Sequence, residues 1–233
     1  MGYLSEGQNK NSMMGIYMKR LFIFALILTA AGCNAGDKAG SQDSVEKILS
    51  VDTYNYTKYE LYYISFSDVK KKFVVDQAGY APSVFFLNAG FVELGDGSKA
   101  SFATGECCIA WDVTSKGPVK FKVVWNLIYD LAAFKRRDGD ERTVKQSAPG
   151  TVWCEAIAEV RQPYPEKPGT LLFHFFPDGT VTAHLSIYGD LKSDGPLPLE
   201  EIKKHATPLP AGQYCLKQID NPWYGIPRKP HME

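Results

Sequence analysis

The sequence has no excess of charge of either sign: 26 basic residues stand against 26 acidic ones. That balance argues against a nucleic-acid binder, which needs a basic surplus to meet phosphate. Removing Met1–Cys33 takes away Lys10, Lys19, Arg20 and Glu6 and leaves 23 basic against 25 acidic residues, so the balance does not depend on the N-terminus. No long apolar run is present. The longest, Leu21–Ala31, has 11 residues, well short of the roughly 20 needed to span a bilayer as a helix. Also missing are a Gly-x-Ser-x-Gly elbow, a His-Glu-x-x-His pair and a glycine-rich phosphate loop. Gly95–Ser98 reads as a turn, too short and too poor in carboxylates for a calcium loop. No cofactor is expected.

What is present begins with a leader. Met18-Lys19-Arg20 supplies a basic start, Leu21–Ala31 an apolar segment, and Thr29-Ala30-Ala31-Gly32-Cys33 closes it. This is the layout of an export signal. Its last five residues resemble the bacterial lipobox, with Ala30 where that pattern prefers Leu. The resemblance implies that Cys33 receives diacylglycerol and becomes the mature N-terminus. Asn34 rather than Asp follows it, which resembles an outer-membrane address; the inner membrane is the alternative. Residues 34–44 are small and polar and read as a flexible tether. The polar Met1–Tyr17 segment, with Met13, Met14 and Met18 as further starts, raises the expectation of a minor cytosolic pool.

Residues 45–220 read as one mainly β domain, an antiparallel β-sandwich with one or two short helices, and 221–233 as an irregular tail. Asp43–Val51 is expected to form a short helix, because Val45, Ile48 and Leu49 share a helical face. Thr53–Phe66 is tyrosine-rich and ends in a strand. Gly105–Trp111, turning at Ser115–Pro118 into Lys116–Trp125, is expected to be the central hairpin. In its second arm Val119, Phe121, Val123 and Trp125 alternate with Lys120 and Lys122. Asp130–Gln146 is a mixed-charge excursion. Thr151–Val160 returns to strand. Leu171–Ile187 is a hairpin around Pro177-Asp178-Gly179, and burial favours the three-residue loop that sets Phe176 opposite Thr180. Leu197–His205 is expected to hold a short helix and Gly212–Ile219 the last strand.

Export makes disulfides the expected state of Cys107, Cys108, Cys154 and Cys215. Cys107 and Cys108 point to opposite faces of a strand, so one is expected to bond Cys154 and the other Cys215, in either order. Zinc on the four is the competing reading, but Cys-x-x-Cys spacing is missing. His174 and His184 fall near each other on the outer face of the last hairpin and are read as hydrogen-bonded histidines rather than metal ligands.

Three blocks carry a family resemblance: Gly105-Glu106-Cys107-Cys108 leading to Trp125; Ala158–Tyr164; and Leu171–Pro177. Over roughly Tyr54–Ile187 the chain resembles bacterial lipoproteins grouped under a domain-of-unknown-function heading, marked by a Cys-Cys strand, a Val-x-x-Pro-Tyr segment and a His-Phe strand. Members of that family are often encoded beside type VI secretion lipase effectors, and some resemble the immunity lipoproteins of those effectors. The resemblance implies a periplasmic, lipid-held inhibitor of a secreted phospholipase, with no catalytic residues of its own. The competing classes are a structural or accessory envelope lipoprotein and a hydrolase. Candidate partner-binding residues are Tyr59 and Tyr62 in the tyrosine-rich segment and Arg136, Arg137, Asp138 and Asp140 in the charged excursion.

Overall fold

The computed structural model describes residues 46–85, 89–136 and 139–227. The leader, Cys33 and the tether lie outside the described residues, as do Arg137 and Asp138. The chain divides into Met1–Gln42 and Asp43–Glu233. The second unit is mainly β, and its described residues form ten strands in two five-stranded sheets.

The first sheet contains β1 (Glu46–Asn55), β4 (Gly90–Glu93), β5 (Lys99–Asp112), β8 (Pro168–Phe175) and β9 (Val181–Ile187), in the order β4-β5-β1-β8-β9. The second contains β2 (Glu60–Asp68), β3 (Gly79–Ala81), β6 (Lys120–Ile128), β7 (Thr151–Glu159) and β10 (Gln218–Ile219), in the order β10-β7-β6-β2-β3. Their inner faces share one core. Leu49, Val51, Leu171, Phe173 and Phe175 meet Leu61, Phe66, Phe121, Val123 and Trp125. Ring pairs Phe66–Phe173 at 5.0 Å and Trp125–Phe175 at 5.2 Å bind the layers together. The expected alternation in β6 is the one observed, with Phe121, Val123 and Trp125 in the core.

The β8–β9 hairpin matches its expected register. The Phe176 amide donates to the Thr180 carbonyl at 3.1 Å, and Gly179 sits at φ 80°. That left-handed conformation closes the three-residue loop and is one that glycine adopts without steric cost. The short helix α2 (Leu199–Lys203) lies inside its expected range, and α1 (Leu131–Lys135) falls in the charged excursion.

Four expectations are corrected. In the described part of Asp43–Val51 the expected helix is not formed: Glu46–Asn55 is strand β1, with Leu49, Val51, Thr53 and Asn55 buried at a period of two, and residues 43–45 lie outside the described residues. The strands are not all antiparallel, because β1 runs parallel to β8. β5 and β6 do not pair as a central hairpin. β5 pairs with β1 and β4, and β6 with β2 and β7, so the turn after Asp112 carries the chain from one sheet to the other. The last strand is only Gln218–Ile219, and Cys215 precedes it.

The disulfides are also re-paired. Cys154 bonds Cys215, with 6.0 Å between their Cα atoms. The cause is adjacency: Gln218 of β10 pairs with Cys154 of β7, and the Glu155 amide donates to the Lys217 carbonyl at 2.9 Å. Cys107 and Cys108 lie on β5, in the opposite sheet. Cys108 is disulfide-bonded too.

Residues 221–227, the described part of the C-terminal segment, are irregular but packed. Trp223 is buried with Trp153 and Val124 on the outer face of the second sheet. The charged excursion holds it there: the Arg142 guanidinium lies 4.6 Å from the Trp223 ring centre, and the Asn221 amide donates to the Lys145 carbonyl.

Candidate functional site

One end of the sandwich, where β1 and β8 finish, carries a cleft of about 380 Å³. Three segments line it: 56–59 after β1, Phe176–Pro177 at the hairpin turn, and the proline-rich loop 206–214. The loop is tied to the turn by the Leu209 amide, which donates to the Pro177 carbonyl at 3.2 Å. Pro208 and Pro210 restrict the loop's backbone, so the wall they form loses little entropy on binding. Aromatic rings define the rim. Tyr59 meets Tyr214 edge-on at 5.6 Å, and Tyr129, 41% exposed, stacks on Tyr214 at 4.1 Å. Lys58 places its ammonium 5.3 Å from the Tyr59 ring centre. Apolar bodies with polar tips suit a protein surface or an apolar chain.

Behind the cleft runs a buried polar relay. The Leu197 amide donates to the Tyr56 oxygen at 3.0 Å, and Tyr56 lies 3.0 Å from His174 Nδ1. His174 Nε2 is 2.9 Å from His184 Nδ1, and His184 Nε2 is 3.3 Å from the Ser193 carbonyl. The carbonyl can only accept, so His184 Nε2 carries a proton and its Nδ1 accepts. That makes His174 Nε2 the donor and His174 Nδ1 the acceptor for the Tyr56 hydroxyl. The direction of every bond is therefore fixed with both rings neutral. Burial holds His174 well below the ordinary histidine range, and the neighbouring His184 and the Arg161 charge add to this. Burial lowers His184 as well, against the Ser193 contact, which raises it. Burial, with the charges of Asp52 and Asp194, pushes Tyr54 up to about 12. Tyr54 stacks on His174 at 5.3 Å and donates to the Asp194 carbonyl at 2.7 Å. The pair was expected near each other on the outer hairpin face, and it is there. The covering of that face by residues 193–202 was not expected.

At the flank of the cleft, His205 Nδ1 lies 2.8 Å from Asp178 Oδ2. An aspartate that orients a histidine is also part of hydrolytic triads. Here the adjacent hydroxyl, on Thr180, contacts Asp178 Oδ1 at 2.6 Å and the same Nδ1 at 3.1 Å. It lies on the aspartate's side of the ring, not at Nε2 where a nucleophile would stand, so the trio braces the 177–179 turn.

The candidate binding residues separate. Tyr59 lines the cleft. Tyr62 does not: a bulge in β2, with Tyr63 at φ 48°, turns both tyrosines to the outer face while Leu61 and Ile64 stay in the core. Tyr62 there packs against Phe134 of α1 at 5.7 Å. Arg136 is exposed at the end of α1, and Asp140 Oδ1 accepts from the Arg142 amide. Tyr214, Tyr129 and the 206–214 loop were missed. The proline spacing of Pro208 and Pro210 was the one signal for the loop.

Among the described residues no helix is long and apolar enough to cross a membrane. No family profile, curated protein or solved structure matches the chain.

Proposed function

We propose that the chain is a lipid-anchored periplasmic immunity protein that binds and neutralises a secreted phospholipase effector by covering the route its substrate lipid takes. The sequence resemblance names the class, and the lipobox-like segment ending at Cys33 gives the compartment. The observation that carries the reading is the aromatic and proline-walled cleft. Its three walls are fixed to the sandwich, and its rim of Tyr59, Tyr129 and Tyr214 has the composition of a protein-binding hot spot. A binding face held rigidly at one end of a β-sandwich can seat on a partner without first ordering itself.

The test is co-purification with the product of the neighbouring gene, followed by a lipase assay with and without this chain. A tight complex with suppressed lipase activity is the expected result. In that complex, Tyr59→Ala with Tyr214→Ala should weaken binding by about 30-fold or more, the scale of losing about 2 kcal/mol at a hot spot. Lys58→Glu, at an exposed site that leaves the rings in place, should weaken it less. Loss of binding without a shift in melting temperature assigns the effect to the face. If no partner is retained and cells lacking the gene survive attack by sister cells as well as wild type, the chain is an accessory envelope lipoprotein instead.

The anchor has its own test. Cys33→Ser should abolish palmitate labelling and move the protein from the membrane to the soluble periplasmic fraction. Unchanged labelling would remove Cys33 from consideration.

A further inference from the structure

The end of the sandwich opposite the cleft has a different surface. β1 starts there at Glu46, β8 starts at Pro168, β9 ends at Ile187 and β5 ends at Asp112. Around these strand ends the apolar side chains are uncovered: Leu191 is 85% exposed, Tyr188 69%, Ile48 61% and Ile187 48%. Tyr188 and Ile187 lie beside the start of β1. Lys47 Nζ lies 4.5 Å from the Tyr188 ring centre and donates to the Pro168 carbonyl, and Pro168 pairs with Ile187. Leu191 sits at the tip of a turn closed by the Asp190 amide on the Ile187 carbonyl and by Ser193 on Asp190. A leucine on such a tip is held away from its own core.

We infer that this rim rests on the bilayer interface and turns the cleft away from the membrane. The inference rests on the lipid-anchor reading and goes beyond it. Only twelve residues separate Cys33 from Glu46. Small, polar linkers of that length have a root-mean-square reach of roughly 20 Å. The strand that receives it, β1, begins beside Tyr188. The lipid therefore holds the rim near the interface at high effective concentration, and a contact too weak to bind a free protein is enough to orient a tethered one. Tyrosine and leucine on a tip suit the headgroup boundary. Charge does not drive the contact: Lys47, Lys167 and Lys192 at this rim stand against Glu46, Asp112, Glu166 and Asp190, with no basic surplus. The ten residues of β1 set the cleft roughly 30 Å from the rim. At that height a partner working at the membrane surface can be met from above.

The experiment measures amide hydrogen exchange on the exported chain fixed to vesicles of phosphatidylethanolamine and phosphatidylglycerol. One form carries its own lipid. The other is Cys33→Ser with an N-terminal hexahistidine, bound to nickel-chelating lipid. Exchange over residues 187–192 should slow several-fold on vesicles relative to the same chain in solution, while 206–214 is unchanged. The slowing should survive high salt, which screens any headgroup attraction. Tyr188→Asp with Leu191→Asp should abolish it while the chain stays attached. No slowing in either form, or slowing at the cleft instead, overturns the orientation. Protection that appears without vesicles and grows with protein concentration also overturns it and makes the rim a contact between copies. If the chain's own lipid is missing, the anchor reading fails alone, and the nickel-bound form still decides the orientation.

Discussion

Between pH 7 and pH 5 the protein should lose about 2 kcal/mol of stability through His174 alone, with His184 adding to the loss. The sign follows from where the protons go. In the unfolded chain both histidines take up a proton as pH falls through the ordinary value of 6.5. In the folded chain His174 is fully buried and held well below that value. The unfolded state therefore binds more protons in this window, and stability falls with pH at up to about 1.4 kcal/mol per unit for each histidine that stays neutral. The relay explains why protonation is resisted. A second proton on His174 Nδ1 would face a Tyr56 oxygen that already accepts from Leu197, and the hydroxyl proton would lose its acceptor. Asp52 works the other way, because burial raises it, so its contribution is present at low pH and lost as pH rises through its raised folded-state pKa. The measurement is urea unfolding from pH 7 to pH 5. His174→Asn keeps an acceptor near Tyr56 but has no titrating ring. It should cost about 1–3 kcal/mol at pH 7 by leaving His184 Nδ1 unpaired, yet show a shallower pH slope than the wild type. Equal slopes would remove His174 from the account.

The same hairpin shows what a single sequence makes readable. Alternation along Leu171–Phe175 and Val181–Leu185, with a Pro-Asp-Gly turn, determines register locally, so the apolar face and the closeness of His174 to His184 both follow. The opposite faces held a further signal. Leu172 and Phe176 share the outer face with His174, and a strand apolar on both sides is covered on both sides. The β5–β6 error has a different origin. Alternation tells which side chains turn inward but not which sheet receives the strand, and consecutive strands pair only about two-thirds of the time. The β1 error came from three apolar residues that fit a helical face, while the buried set Leu49, Val51, Thr53 and Asn55 includes polar members that hydropathy discounts. The cleft was the least readable feature. Its walls come from three segments about 30 to 150 residues apart, and only the fold brings them together.

Opening the Cys154–Cys215 bridge should cost about 4 kcal/mol, the chain-entropy value for a loop as long as this one. The two cysteines are 61 residues apart and both are buried in the main core. A loss of that size is a large share of a typical stability of about 5–15 kcal/mol, and it should lower the melting temperature by roughly 10 °C for a domain of this size. Cys154→Ala with Cys215→Ala tests it, as does reduction followed by alkylation. The loss should be local before it is global. Cys215 follows Tyr214, which forms the cleft rim, and β10 beyond it has only two residues of ladder on β7. With the bridge open, exchange should accelerate first over 206–219, and partner binding should weaken before the sandwich melts. A chain retained in the reducing cytosol by an upstream start would lack the bridge and carry this weakened cleft. If the alkylated protein melts at the same temperature as the oxidised one and its 206–219 amides exchange no faster, the bridge does not hold the cleft, and the packing of Tyr129, Tyr59 and Tyr214 is sufficient alone.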